Sequence, residues 1–165
     1  MRRRIAMRQR VSGFTLIELV VTLSVIAILA AVALPRYITL QQQARIAKTQ
    51  AIYGGIRAAS ALAHAQSLAT NALPNATILM EGANVTMANG YPTADAAGIL
   101  TAVDMGTANE QAANQITITA GPPLLIDTIG GTAGLCTVSY TAATVGPGPT
   151  FTLTAPLITF NTTNC

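Results

Sequence analysis

The sequence predicts an α+β fold: a long N-terminal helical spine, membrane-spanning in its first half, packed on a small C-terminal antiparallel β-sheet. Three observations carry this expectation. From Phe14 to Leu34 every residue is apolar or a small hydroxyl, except Glu18. Helical spacing of apolar residues continues beyond it through RYITLQQQARIAKTQAIYGGIRAASALAHAQSLAT. From Gln115 onward, threonine-rich segments alternate at period two between Gly/Pro turns, the pattern of strands in an antiparallel sheet.

A helix of about 20 apolar residues is about 30 Å long, enough to cross a bilayer. Composition alone does not separate a span from a buried core helix, so length and flanking charge decide for the span. Upstream lies MRRRIAMRQRVSG, with Arg2, Arg3, Arg4, Arg8 and Arg10 and no acid, the pattern that stays cytoplasmic while the following chain is translocated. The expected orientation is N-terminus inside and Cys165 outside. A secretory signal peptide is cut after its apolar run, whereas here the small residue at the composition change is Gly13, before the run. A cut there removes the charges and keeps the helix.

Glu18 is the exception that asks for a reason. A carboxylate in hydrocarbon is costly unless paired and marks a functional site by default. Its partner is a free ammonium at Phe14, which exists only after the Gly13–Phe14 bond is cut. An acid in the first turn also complements the helix dipole, worth at most about 1 kcal/mol at an exposed site. That alone does not require an acid surrounded by bilayer.

The short basic leader ending in Gly13, then Phe14, Thr15, Leu16, Ile17 and Glu18, with Pro35 near the end of the apolar run, resembles the class III signal of type IV pilins and the related pseudopilins. The resemblance implies that a membrane-embedded prepilin peptidase cuts after Gly13 and methylates the new amine of Phe14. In assembly, Glu18 of one subunit is expected to pair with the Phe14 amine of a neighbour. Pro35 lacks a donor for the Ala31 carbonyl and clashes there, costing about 3 kcal/mol in a regular helix. It predicts a kink or a locus that unwinds, and the resemblance implies melting in its neighbourhood within a filament. The stretches NGYPTADAAGI (89–99) and CTVSYTAAT (136–144), with Cys165, are similar to the mannose-sensitive-haemagglutinin-type pilins. The implied organisation is a cleaved leader over 1–13, a transmembrane and filament-core helix over 14–34, an amphipathic second half over 35–70, and a pilin head over 71–165.

On the second half of the helix, Ile52, Ile56, Ala59 and Ala63 form one apolar stripe, while Gln50, Arg57 and His64 share another face. The first is expected to carry the sheet and the second to meet solvent or a neighbouring subunit. Gly54-Gly55 costs about 1 kcal/mol per residue relative to alanine and is read as room for close packing of the sheet. The helix ends at TNALPN. Thr77 to Met80 and Asn84 to Met87, split by Glu81-Gly82, read as a short hairpin or paired strands, 89–92 as a turn, and Asp95 to Val103 as a short helix capped by Thr93 or Asp95; 105–114 is ambiguous. QITITA, LLIDTI, CTVSYTAA, TFTLTA and LITFN are the strands, with one face on the helix stripe and a wet threonine face.

Cys136 and Cys165 are the two cysteines. In an exported chain they read as one disulfide, worth about 3.6 kcal/mol in the chain-entropy model; free thiols are the alternative. Two sulfurs without histidine neighbours do not make a zinc site.

Composition excludes several functions. The chain carries a formal +3, but losing the five leader arginines leaves −2, so basic charge gives no support to nucleic-acid binding. His64 has Ser60 four residues earlier and no acid within a turn to orient it, so a catalytic pair is not expected. The carboxylates Glu81, Asp95, Asp104, Glu110 and Asp127 show no metal-ligand spacing. The expected protein is not an enzyme and carries no cofactor or metal. It is a major subunit of a homo-oligomeric pilus filament serving adhesion or motility. Its partners are the prepilin peptidase, the pilus assembly platform and the inner membrane before export to the surface. The alternatives are a type II secretion pseudopilin, or a minor pilin that binds DNA or a glycan at a filament tip.

Overall fold

Helix α1 spans Leu16–Ala69 without interruption. The computed structural model describes residues 13–130, 136–147, 152–163 and 165. The leader arginines Arg2, Arg3, Arg4, Arg8 and Arg10 lie outside the described residues, as do residues 131–135 and 148–151, where the sequence predicts turns. The chain divides between Leu40 and Gln41 into two compact units.

In the first unit, α1 is apolar on every side. Its most apolar stretch has a mean hydropathy of 2.7, and none of it is buried, so it is long and apolar enough to cross a membrane. The hydroxyls inside the run return to the helix: Thr22 Oγ1 donates to the Leu19 carbonyl and Ser24 Oγ to that of Val20, both at 2.8 Å. Such back-bonding hides polar atoms from hydrocarbon. The helix continues through Pro35, where Thr39 Oγ1 donates to the Pro35 and Arg36 carbonyls at 3.2 and 2.8 Å.

In the second unit, α1 buries Thr49, Ile56, Ser60, Ala63 and Ser67. This corrects the expected stripe: Ile56 and Ala63 belong to it, Ile52 and Ala59 are half-buried at its flank, and small hydroxyls complete it. Hydroxyls fit because they bond across the interface. Thr49 Oγ1 lies 2.7 Å from Thr128 Oγ1. The helix stops in a Schellman motif, with Ala72 N–H donating to the Ser67 carbonyl and Asn71 N–H to that of Leu68. Asn71 takes the left-handed position at φ 50°, where Asn is the common substitute for Gly.

Strands β1 (Ile78–Met80) and β2 (Ala83–Val85) form an antiparallel hairpin. Its turn is Glu81-Gly82, with φ 48° and 86°, as a two-residue primed turn requires. Strands β3 (Met87–Ala88) and β4 (Tyr91–Pro92) repeat the device around Asn89-Gly90. The turn expected over 89–92 is thus its central pair only. Ala63, Ile78, Val85 and Met87 pack together as a small core.

The expected helix at 95–103 is a π-helical turn over Ala96–Leu100 running into α2 (Thr101–Val103). Asp95 caps it, accepting from Gly98 N at 2.7 Å, while Thr93 Oγ1 donates to the Asp95 carboxylate rather than capping. The ambiguous stretch contains α3 (Ala108–Ala113), opened by a Thr107/Glu110 capping box.

The main sheet is antiparallel, in the order β10-β7-β6-β5, from β5 (Ile116–Thr119), β6 (Leu124–Thr128), β7 (Thr137–Thr141) and β10 (Leu157–Asn161). Between β7 and β10, β8 (Thr144–Val145) pairs with β9 (Leu153–Thr154). Register places Ile158, Tyr140 and Leu124 in one row and Phe160, Val138, Ile126 and Ile118 in the next. Leu124, Ile126, Val138 and Tyr140 join Ile56 of α1 and Ile99 in the main core. The opposite face is polar, with Ser139 Oγ 2.6 Å from Thr159 Oγ1. This is the α+β arrangement of a long helix followed by small antiparallel sheets.

Two expectations are overturned in this unit. Gly54 and Gly55 are exposed; a Cβ added at Gly54 meets nothing within 4 Å, and at Gly55 only Val103 Cγ1 at 3.9 Å. They face away from the sheet, so its packing does not require them. His64 does not share the solvent face of Gln50 and Arg57. It stacks on Tyr91 of the β3–β4 hairpin, with ring centroids 4.1 Å apart and planes within 6°.

Candidate processing and assembly site

Gly13, Phe14 and Thr15 precede the first helical residue and are exposed. Gly13 has nothing within 4 Å of where a Cβ would sit, and Phe14 is 86% exposed. The bond between them therefore lies in open, non-helical backbone, the form a peptidase can bind. The helix starts where it does because Thr15 Oγ1 accepts the Glu18 N–H at 3.3 Å, satisfying one donor of the first turn. Thr15 is the residue that sequence reasoning missed. Its signal was present as Thr15-Leu16-Ile17-Glu18, the Thr-x-x-Glu spacing of a capping box. Glu18 is exposed among exposed apolar side chains, the only acid between Phe14 and Leu40.

The two cysteines come together as a disulfide with Cα atoms 4.9 Å apart across 29 residues. Burial surrounds it: Cys136 and Cys165 are both in the core. Thr49 and Thr128 hydroxyls lie 3.3 and 3.1 Å from Cys136 Sγ, and Arg45 Nε donates to the Cys165 carbonyl. The bridge thus ties the end of the sheet and the last residue to α1. Lys48, three residues on, donates to the Asn114 carbonyl, the last carbonyl region of α3, where a cation suits the helix end; burial lowers its pKa.

The remaining candidates are held in structural contacts. His64 Nδ1 lies 2.7 Å from the Gly90 carbonyl, so that nitrogen carries the proton and donates. Ser60 is buried and bonds Tyr140 Oη, so Ser60 and His64 do not form a nucleophile–base pair. Tyr140 Oη donates to the Pro92 carbonyl at 2.7 Å, and burial pushes its pKa up to about 12. Thr107 N–H and Oγ1 both donate to Glu110, at 2.6 and 2.9 Å, and hold its carboxyl below the usual range. Among the described residues no group of three His, Cys, Asp or Glu is placed to hold a metal ion.

Comparison with known proteins gives one family match and one relative. The family model for the prokaryotic N-terminal methylation motif matches residues 8–34, which include Gly13, Phe14 and Glu18. Over 58 residues the chain is 43% identical to the type IV narrow pilus major component PilA5 of Thermus thermophilus. The chain carries the prokaryotic N-terminal methylation motif. The matched stretch is 35% of this chain and spans half the length of that relative. No solved structure matches the chain. Neither match names a subgroup of pilins. Within this motif, an open Gly13–Phe14 bond, a capped helix start and a lone acid follow one another within six residues.

Proposed function

We propose that this chain is the major structural subunit of a type IV pilus. A prepilin peptidase cuts after Gly13 and methylates Phe14, and the apolar half of α1 then packs against its copies in a filament core. The observation that carries this reading is Glu18, a lone acid in a fully exposed apolar helix, within a segment matched by the methylation motif. An unpaired carboxylate in hydrocarbon is unstable, and the amine created at Phe14 of a neighbouring copy is its partner. Glu18 then sets the register between subunits, while apolar packing drives assembly.

Before assembly the precursor sits in the inner membrane, leader inside and Cys165 outside, and an assembly platform extracts it to the cell surface. The stretches 89–99 and 136–144 support placing it among the mannose-sensitive-haemagglutinin-type pilins, with an outer surface serving adhesion or motility. Pro35 is where α1 bends or unwinds when packed. The protein acts by assembly and not by catalysis.

Intact mass and N-terminal sequencing of material sheared from cells test this reading. A product beginning at methylated Phe14, abundant in the sheared fraction and carrying one disulfide, is expected. The same product confined to membrane or periplasm assigns a secretion pseudopilin instead. A chain still beginning at Met1 removes the assembly reading.

A further inference from the structure

We propose that a groove beside α1 receives the stretch of α1 around Arg36 from a second copy of this chain. The inference rests on the assembly reading above and names the contact it uses outside the apolar run. The groove has a volume of about 690 Å³. Gly55, Ala58 and Ala59 of α1 line it, with Leu62 of the same helix and with Leu100 and Val103. The acids Glu81, Asp104 and Glu110 also line it, and all three are exposed. It is therefore an apolar trough with anionic edges, and its α1 wall carries no side chain larger than a methyl at those three positions. Gly54 and Gly55 have no packing reason within the chain. Their absence of side chains lets another helix approach the α1 backbone closely.

Charge identifies the occupant. Between Phe14 and Cys165 every cation, namely Arg36, Arg45, Lys48 and Arg57, lies on α1, while every acid except Glu18 lies between Glu81 and Asp127. Copies of one chain with cations on the helix and acids off it are complementary to each other. Arg45 and Lys48 are already engaged by the Cys165 and Asn114 carbonyls. Arg57 stands beside Gly54, Gly55 and Ala58 and offers no apolar flank. Arg36 has one: Leu34, Tyr37, Ile38 and Leu40 around it are each at least 60% exposed. No ion pair holds the side chains of Arg36, Glu81 or Asp104 among the described residues. An apolar helix segment with one cation fits an apolar groove with acidic edges, because burial of a guanidinium is tolerated when carboxylates meet it.

The test uses the full chain in its host, reading filament mass in the sheared fraction and processed subunit in the membrane. R36E alone, and E81K with D104N, are each expected to lower filament mass about tenfold with cleavage unchanged, as for loss of a buried charge pair. R36E, E81K and D104N together are expected to restore most of it, which excludes a simple export defect of R36E. A photo-crosslinking benzoylphenylalanine at Tyr37 is expected to form adducts with residues 80–83 or 100–111 of another copy. Filaments of normal mass from R36E, no restoration in the triple variant, or adducts confined elsewhere overturn the groove while leaving the assembly reading intact. Failure of the unaltered chain to form filaments overturns both.

Discussion

Tyr140 on β7 reaches across 48 residues to donate its hydroxyl to the Pro92 carbonyl at 2.7 Å. The contact joins the centre of the main sheet to the end of the β3–β4 hairpin, inside a core where the Tyr140 ring is fully buried.

Tyr140→Phe keeps the ring and orphans the Pro92 carbonyl, which costs about 1–3 kcal/mol; urea unfolding of the detergent-solubilised chain checks this. The hydroxyl also predicts an alkaline limit. Its pKa is raised from 10.0 to about 12, so the folded state holds the proton more tightly. The stability it contributes is complete below pH 10 and is lost as pH rises towards 12. Tyr140→Phe is expected to flatten that loss, and an unchanged alkaline profile refutes it.

Reducing the Cys136–Cys165 bond, or replacing both with serine, releases a loop closed over 29 residues. The expected loss is about 3.6 kcal/mol from chain entropy. Because Thr49 and Arg45 contact the bridge, amide exchange should rise first around Arg45 to Thr49 and in β10. Unfolding midpoints with and without reductant measure the first effect, and exchange mapping the second.

Gly54→Ala should stabilise the isolated chain by up to about 1 kcal/mol, the helix propensity difference, since the added methyl meets nothing. A destabilised Gly54→Ala variant contradicts the exposed position assigned here.

Acid should loosen α3 before the sheet. Glu110 has a lowered pKa because Thr107 donates to it through both backbone and side chain. The cap it makes is present at neutral pH and is lost as pH falls through that depressed value. Amide exchange within Ala108–Ala113 should accelerate there, and Glu110→Gln should remove the pH dependence.

Much of the N-terminal motif was legible because it is local. Gly13, Phe14 and Glu18 are neighbours in sequence, and an apolar run needs no partner to be recognised. The cap by Thr15 is equally local, but it acts on the backbone N–H of Glu18, which the charge of that side chain does not report. His64 was misplaced for the opposite reason. Helical spacing put it with Gln50 and Arg57, but its face is covered by Tyr91, 27 residues away along the chain.

The sequence by itself determined the apolar helix, the alternating threonine strands, the hairpin turn at Glu81-Gly82, a turn at Asn89-Gly90, and the α+β class. Each follows from periodicity or φ preference within a few residues. Only the tertiary structure decided which residues complete the buried face of α1 around Ile56 and Ala63. Thr49, Ser60 and Ser67 enter the interface, against hydropathy, because the chain supplies partners such as Thr128 and Tyr140 from far along it. Gly54 and Gly55 stay outside because the sheet packs on the other side of the helix. A polar group is buried at little cost only where a distant group is positioned to bond it, and short-range spacing carries no record of that position.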